Sequence, residues 1–180
     1  MTFKTKVTTS LLAVFAASAL LAFARPTEDS AAEKKNLAMN KKFYQEVFNK
    51  GNVAIIDELL ADHFVEHEEM PGLAKGKEGV KQFFSMFRNA FPDLQANVEM
   101  MFAKDDKVVT YFVMTGTHKG EFMGMAATGK SISIKGIDII RFENGKAVEH
   151  WGLTDSAAMM QQLGMMEMEE EHEDHGAGNH

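Results

Sequence analysis

The sequence predicts an α+β domain in which helices cover one face of a bent antiparallel sheet. Apolar residues repeat at helical spacing before Pro92 and alternate with polar residues after it. Near the carboxyl end, Asn144-Gly145 stands between two alternating runs, which is the strongest short-range signal for a β-hairpin. The chain has 180 residues, 45% of them hydrophobic, and this length suits one domain with additional residues at both ends.

Three helices are predicted in the first half of the chain. Their ranges are residues 36–50, a short helix capped by Asn52 that ends near Asp62, and residues 79–91. Gly51 ends the first helix. The third helix carries a broad apolar stripe that includes Phe84, and it ends at Pro92 because proline removes a backbone donor.

Four strands and a last short helix are predicted after Pro92. The strands span residues 94–102, 108–117, 130–142 and 147–153, and Asp155 caps a helix that ends at Gly164. A glycine-rich connection, residues 120–129, joins the second and third strands. With Phe122 as an apolar contact, this connection is a candidate lid over an opening in the fold.

Both ends of the chain fall outside the predicted domain, which we place at residues 36–164. Residues 1–24 combine two lysines with an apolar run that ends in small residues, the layout of a secretory signal peptide cleaved after Ala24. Residues 25–35 are predicted as a linker. We therefore expect export to a bacterial periplasm or the cell exterior, with no membrane attachment after cleavage. A retained anchor is the alternative, but the run is shorter than a membrane span.

Charge and composition exclude several classes of function. The formal net charge is −7 and the lysines are scattered among acidic residues, so a basic stripe for nucleic acid is absent from the sequence. There is no cysteine, which excludes disulfides and thiol nucleophiles. Residues 165–180 are rich in Glu and His without an apolar period, and they predict a disordered tail that either binds a divalent metal loosely or only aids solubility.

The hairpin at Asn144-Gly145 determines which side chains share a face. Counting outward from a two-residue turn pairs Phe142 with Ala147, Ile140 with Glu149 and Asp138 with Trp151. The predicted inner face carries Asp138, Ile140, Phe142, Ala147, Glu149 and Trp151, and the outer face carries Ile137, Ile139, Arg141, Val148 and His150. An aspartate among apolar neighbours on the inner face points to a functional role.

Four segments of the sequence carry a resemblance to a known family. The segments 117–124, 127–130, 136–142 and 149–151 resemble the SnoaL-like polyketide cyclases, often named ester cyclases, and the similarity extends from Leu37 to Leu163. The resemblance implies the NTF2-like fold, a cone whose curved sheet wraps a long helix and leaves a deep cavity. It also implies that the acid/base aspartate of the family is Asp138, and that the reaction needs no metal or cofactor.

The residues themselves support a proton-transfer role for Asp138. An apolar pocket desolvates a carboxyl group and would raise its pKa towards the range that general acid/base catalysis requires. Since the resemblance implies an intramolecular aldol closure, we expect an aldol-type cyclase, or a lyase or isomerase that uses the same proton transfer. A buried aspartate bonded to backbone or to an arginine is the structural alternative.

Further candidates are expected near Asp138. His118, at the end of a strand, is predicted to orient Asp138 or a substrate oxygen, although an exposed strand-end histidine would look the same in sequence. Asp138 and His118 are the predicted catalytic residues. The residues predicted to bind a small hydrophobic molecule are His67, Phe84, Met114, Phe122, Ile140, Glu149 and Trp151. Methionines such as Met114 suit varied hydrophobic ligands, and they also serve as ordinary core residues.

A zinc-peptidase pattern in the sequence is rejected. The segment 63–67 matches H-x-x-E-H, which needs a long helix. Here the helical period fades at Asp62 and Pro71 breaks the chain soon afterwards, so we predict no metal site in this segment.

Two further expectations concern the setting of the protein. Ile137, Ile139 and Val148 on the predicted outer face suit a homodimer. Polyketide ring closure takes place in the cytoplasm, so an exported relative would act on another carbonyl compound or only bind one. A noncatalytic ligand-binding cone and a metal-associated protein acting through its tail remain as alternatives.

Overall fold

The computed structural model describes residues 29–68 and 70–165 of the chain. The predicted signal peptide and nearly all of the predicted tail lie outside the described residues. The helices are α1 (Ala31–Phe43), a π-helical segment (Tyr44–Asn49), a 3-10 turn (Val53–Ile55), α2 (Ile56–Leu59), α3 (Gly76–Ala90) and α4 (Ser156–Leu163). The strands are β1 (Leu60–Glu66), β2 (Gln95–Lys104), β3 (Lys107–Thr117), β4 (Ser131–Glu143) and β5 (Lys146–Thr154).

The predicted α+β architecture is confirmed, with helices preceding a curved five-stranded sheet of order β1-β5-β4-β3-β2. The apolar stripe of α3 packs against the inner face of this sheet, and Phe84 and Phe87 are buried there. Phe91, at the end of α3, is fully buried. The core therefore lies between α3 and the concave side of the sheet.

Helix α1 begins five residues earlier than predicted, inside the segment interpreted as a linker. Ser30 and Glu33 form a capping box: the Glu33 amide donates to the Ser30 hydroxyl at 3.1 Å, and the Ser30 amide donates to the Glu33 carboxylate at 2.6 Å. This reciprocal pair satisfies two amides of the first turn and fixes the start of the helix. The helix then changes to π geometry at Tyr44.

The segment that starts at Leu60 was predicted to close a helix and instead forms β1. This strand, which was not predicted, lies parallel to β5 at the edge of the sheet, whereas the four predicted strands pair antiparallel as expected. Edge strands need only one partner, and β5 supplies it from almost ninety residues further along the chain. The H-x-x-E-H pattern thus lies on an extended strand, consistent with its rejection as a zinc motif.

The hairpin between β4 and β5 turns at Asn144 and Gly145 as predicted, with both residues at positive φ. Beyond Phe142 and Ala147, however, the register shifts by one residue at a bulge: Arg141 pairs with Glu149, and Val148 is left over. Val148 is only 1% exposed, so its burial next to Ala147 is what the bulge accommodates.

The bulge reverses the faces of the remaining β5 residues. Asp138 pairs with Gly152 rather than Trp151, and Ile140 pairs with His150 rather than Glu149. The predicted positions of Glu149, Trp151 and His150 were therefore wrong, because a one-residue shift moves every later side chain to the opposite face. None of the helices in the described part of the chain has the length and apolarity of a membrane span.

Candidate active site

A cavity of about 790 Å³ lies between the concave side of the sheet and the helices. Its described lining includes nine phenylalanines and six methionines, so most of its wall is apolar. The segment from Met70 to Lys75 and the residues Phe122 and Met123 border it from two loops. A volume and lining of this kind are typical of a small-molecule site.

Four polar side chains form one connected group in this cavity, and we call Glu66, His150, Asp138 and Tyr44 the polar row. Glu66, His150 and Asp138 come from three adjacent strands, β1, β5 and β4. Nδ1 of His150 lies 2.7 and 2.8 Å from the two carboxylate oxygens of Glu66, and its Nε2 lies 3.2 Å from Oδ1 of Asp138. The Tyr44 hydroxyl donates to Oδ2 of Asp138 at 2.5 Å. Asp138 thus accepts from two donors inside an apolar chamber.

The backbone explains why these side chains meet. Glu66 and His150 are register partners on parallel strands, so their side chains project from the same face of the sheet. Gly152 lies beside the pair, and a Cβ at this position would be 2.8 Å from Cε1 of His150 and 3.3 Å from Oδ1 of Asp138. Glycine therefore leaves the space in which the imidazole and the carboxylate approach each other.

Tyr44 enters the site from the opposite side, where α1 changes to π geometry. Its ring stacks on Phe48 with 4.9 Å between centroids and contacts Phe112 at an edge. Burial, followed by the charge of Asp138, raises the pKa of Tyr44 well above its usual value. The hydroxyl therefore keeps its proton and acts as a donor. Single π turns within helices are frequent at functional sites.

A second polar layer lies behind Tyr44. Asn40, which also lines the cavity, donates from Nδ2 to the Thr110 hydroxyl at 2.8 Å. Thr110 is fully buried and is the register partner of Asp138 on β3. These contacts tie the helix to the strand that adjoins Asp138.

The pKa of His150 is also strongly perturbed. Burial opposes its protonation, but hydrogen bonds to Asp138 and Glu66 and the charges of both carboxylates outweigh burial and raise its pKa to about 10. The ring is thus an imidazolium at neutral pH. Asp138 faces a fixed positive charge rather than the purely apolar surroundings expected from the sequence.

Five of the predicted site residues lie together at the cavity: Asp138, Phe84, Met114, Phe122 and Ile140. The other four, His118, His67, Glu149 and Trp151, are not among its described lining residues. The roles assigned to all nine remain predictions, but the placement of these last four in the pocket is not supported.

Three of those four form a separate cluster on the outer face of the sheet. His67 stacks on Trp151 with 4.6 Å between ring centroids, and its Nε2 lies 3.2 Å from the Glu149 carboxylate. Arg141 donates to the other oxygen of Glu149 at 2.7 Å, and this hydrogen bond, with a weaker one from His67, lowers the pKa of Glu149. Glu149 is therefore an ionised partner of Arg141 at neutral pH, outside the described cavity lining.

His118 is neither exposed nor beside Asp138. It is fully buried, its ring stacks on Phe91, and its Nδ1 accepts a hydrogen bond from the Thr128 amide at 3.3 Å. Its Nε2 has no hydrogen-bond partner among the described residues. These contacts make His118 a packing residue that anchors the connection between β3 and β4.

Tyr44 and Glu66 were not predicted as site residues, and His150 was predicted on the wrong face. Tyr44 and Asp138 are 94 residues apart in sequence, and Glu66 and His150 are 84 apart, so no local pattern could join them. The one local signal was the consecutive apolar pair Ala147-Val148, which interrupts the alternation where the bulge occurs. Within residues 29–68 and 70–165, no set of three or more acidic or histidine side chains is arranged to hold a metal ion.

Comparisons with known proteins agree with this architecture. A model of the SnoaL-like polyketide cyclase family matches residues 38–163. IdmH from Streptomyces antibioticus, a candidate polyketide cyclase, is 31% identical with a TM-score of 0.62, and the match covers 72% of this chain and 98% of IdmH. AclR from Streptomyces galilaeus, a candidate hydroxylase, is 27% identical with a TM-score of 0.67 and coverage of 75% and 99%.

A more distant structure shows the shared fold alone. A candidate SnoaL-like polyketide cyclase from Jannaschia sp. CCS1 is 22% identical with a TM-score of 0.69, and the match covers 78% of this chain and 99% of that one. Comparison with curated protein sequences gave no match.

Proposed function

The chain belongs to the SnoaL-like polyketide cyclase family, and on that premise we propose that it binds a small hydrophobic carbonyl compound and transfers a proton of that compound through Asp138. The observation that carries the proposal is the position of Asp138 within the polar row of an otherwise mainly apolar cavity. A substrate would bury its apolar body against the phenylalanines and meet the carboxylate at its polar end.

The proposed step is removal of a proton from the carbon next to a carbonyl group. The C–H bond breaks, an O–H bond forms on Asp138, and the electron pair moves to the carbonyl oxygen as an enolate. Asp138 then no longer carries the charge that attracts the Tyr44 hydroxyl and the His150 N–H. These two donors are then available to the oxygen that has become negative, which is where stabilisation lowers the barrier most.

The fate of the enolate carbon decides the reaction class. Attack on a second carbonyl within the same molecule closes a ring, and return of the proton at another carbon gives an isomerisation. The cavity would favour ring closure by holding the substrate folded, because intramolecular attack gains from reduced entropy loss. The alternative function is a ligand-binding protein that performs no chemistry.

Exchange of the substrate proton with solvent distinguishes catalysis from binding alone. The measurement does not require that the product be known. A panel of neutral aryl and alkyl ketones and β-keto esters would be incubated with the protein in deuterated water, and deuterium uptake next to the carbonyl would be followed by NMR. Binding of the same compounds would be measured by saturation-transfer NMR. We expect the unmodified protein to catalyse exchange. The control variant Glu149→Gln, which neutralises a carboxylate on the outer face, should catalyse exchange as well.

The variant Asp138→Asn should bind these compounds but lose catalysed exchange. Equal exchange by Asp138→Asn and the unmodified protein would exclude Asp138 as the base. Binding without exchange in every protein would favour the noncatalytic alternative.

We also propose that the protein is exported and forms a homodimer. Export is supported by the layout of residues 1–24 alone. The dimer is supported by large apolar side chains exposed on the outer face of the sheet, among them Phe102 and Ile137. Because each copy carries a net negative charge, a contact through uncharged apolar side chains is the arrangement with least repulsion. Val148, expected on this face, is buried and does not contribute.

A further inference from the structure

Glu66 stands at the end of the polar row farthest from Tyr44, and the proposed reaction gives it no role. We propose that Glu66 is a positioning residue that keeps both ring nitrogens of His150 protonated and directs Nε2–H towards Asp138. Its influence on turnover rests on the proposed function, whereas its control of the His150 proton does not.

The geometry allows one proton arrangement when both carboxylates are ionised. A carboxylate only accepts hydrogen bonds, and a neutral imidazole can donate from only one nitrogen. Nδ1 of His150 faces the two oxygens of Glu66, and Nε2 faces Asp138. Both nitrogens must therefore donate, so the ring is an imidazolium. If a neutral group replaced Glu66, Nδ1 of His150 would no longer have to carry a proton.

Glu66 is itself held in place by the fold. Its backbone is in register with that of His150 in the parallel pair of β1 and β5, and the His67 amide donates to the His150 carbonyl at 3.0 Å. The amide of Glu68 donates to Oε1 of Glu66 at 3.0 Å, which fixes the carboxylate from the loop side. Its side chain is 22% exposed, whereas that of Asp62 on the same strand is 92% exposed. Glu66 is thus oriented before a ligand enters.

The other charged groups around the ring do not replace this contact. Asp138 approaches from β4, and Tyr44 reaches the ring only through Asp138. Glu68 and Lys75, from the loop after β1, also line the cavity. Of these groups, only Glu66 and Asp138 are in the ion pairs described for His150, and both raise its pKa against the opposing effect of burial.

The inference predicts what changes when the charge of Glu66 is removed. In Glu66→Gln the side chain keeps nearly the same size and can still accept a hydrogen bond from Nδ1, but the negative charge is lost. His150 should then release a proton at lower pH. The proton affinity should fall at least about tenfold, since an opposite charge at this distance ordinarily shifts a pKa by one unit or more.

Imidazole NMR tests this directly in the full-length protein. Long-range proton–nitrogen spectra report the protonation of each ring nitrogen, and the signals of His150 would be assigned by their loss in His150→Gln. We expect the unmodified protein to show a doubly protonated His150 at neutral pH. In Glu66→Gln the midpoint should move down by about one pH unit or more. Glu68→Gln, a cavity carboxylate that makes no ion pair with His150, should leave the midpoint unchanged.

Two results would overturn the inference. One is a His150 ring that is neutral at neutral pH in the unmodified protein, a measurement that needs no folded variant. The other is a folded Glu66→Gln protein whose His150 titrates like the unmodified one. A downward shift in Glu66→Gln supports the inference even when no protein catalyses proton exchange, so failure of the proposed reaction remains distinguishable. If exchange is catalysed, Glu66→Gln should lower the rate at saturating ketone and narrow its alkaline range, with little change in KM.

Discussion

Raising the pH through the alkaline range should destabilise the protein through one side chain, His150. Its pKa is about 10 in the folded protein and has an ordinary value of 6.5. Because the folded value is raised, the stabilisation is fully present below 6.5 and is lost as the pH rises through about 10. Between these limits the folded protein holds a proton that the unfolded chain has released.

The size of the effect follows from proton linkage. A difference of one pKa unit corresponds to about 1.4 kcal/mol, so the free energy of unfolding should fall by about that amount for each pH unit within the window. The full difference from 6.5 to about 10 amounts to about 5 kcal/mol, a large share of the stability of a single domain. Across two pH units in the middle of the window, the expected loss is about 3 kcal/mol.

Urea unfolding at a series of pH values measures this loss. The unmodified protein would be compared with His150→Gln between about pH 7.5 and about pH 9.5, where carboxyl groups ordinarily remain ionised. The contributions of all other titrating groups cancel when the unfolding free energies of the two proteins are subtracted. His63→Gln serves as a control, because His63 is an exposed histidine. We expect the stability advantage of the unmodified protein to decrease with pH. Parallel curves for the unmodified protein and His150→Gln would refute the assignment of an imidazolium held by two carboxylates.

Three further outcomes are expected. Gly152→Ala places a methyl group 2.8 Å from Cε1 of His150, so it should separate His150 from Asp138, destabilise the fold by about 1–3 kcal/mol and abolish proton exchange; an unchanged exchange rate would contradict this. Phe84→Ala empties a buried position packed against other aromatic rings and should lower the unfolding free energy by about 3–5 kcal/mol in urea titrations, whereas a loss below about 1 kcal/mol would show that the cavity wall collapses freely. Ile137→Lys, at a position 44% exposed on the outer face and outside the described cavity lining, should convert the proposed dimer to a monomer in sedimentation experiments while exchange is retained, and a dimer that persists would place the contact elsewhere.

Periodicity alone located most of the fold. Helix α3 and strands β2 to β5 lie within a few residues of their predicted limits, because each has a strong period and a clear breaker at its end. Strand β1 escaped prediction because it is a short edge strand with three charged or histidine residues, paired with a distant segment. An alternating pattern cannot reveal a partner on the other side of the molecule.

The candidate site was predictable only in part. Asp138 lies in the cavity as expected, since its position before the bulge does not depend on the register of β5. The positions of Glu149, Trp151 and His150 did depend on it, and a single unpaired residue at Val148 reversed all three. The contact between Tyr44 and Asp138 joins residues 94 positions apart, so a single sequence does not predict it.

The same bulge makes the chemistry of the cavity depend on how one residue is accommodated in the ladder. If Val148 paired with Arg141 instead of being left over, the rest of β5 would slide by one step and its side chains would exchange faces, so that Trp151 and Glu149 would replace the His150 imidazolium on the inner face. A change of that kind alters no reactive side chain, yet it would remove the positive charge from the cavity. Loss or gain of a bulge is therefore a route by which a site of this kind could lose one activity and gain another.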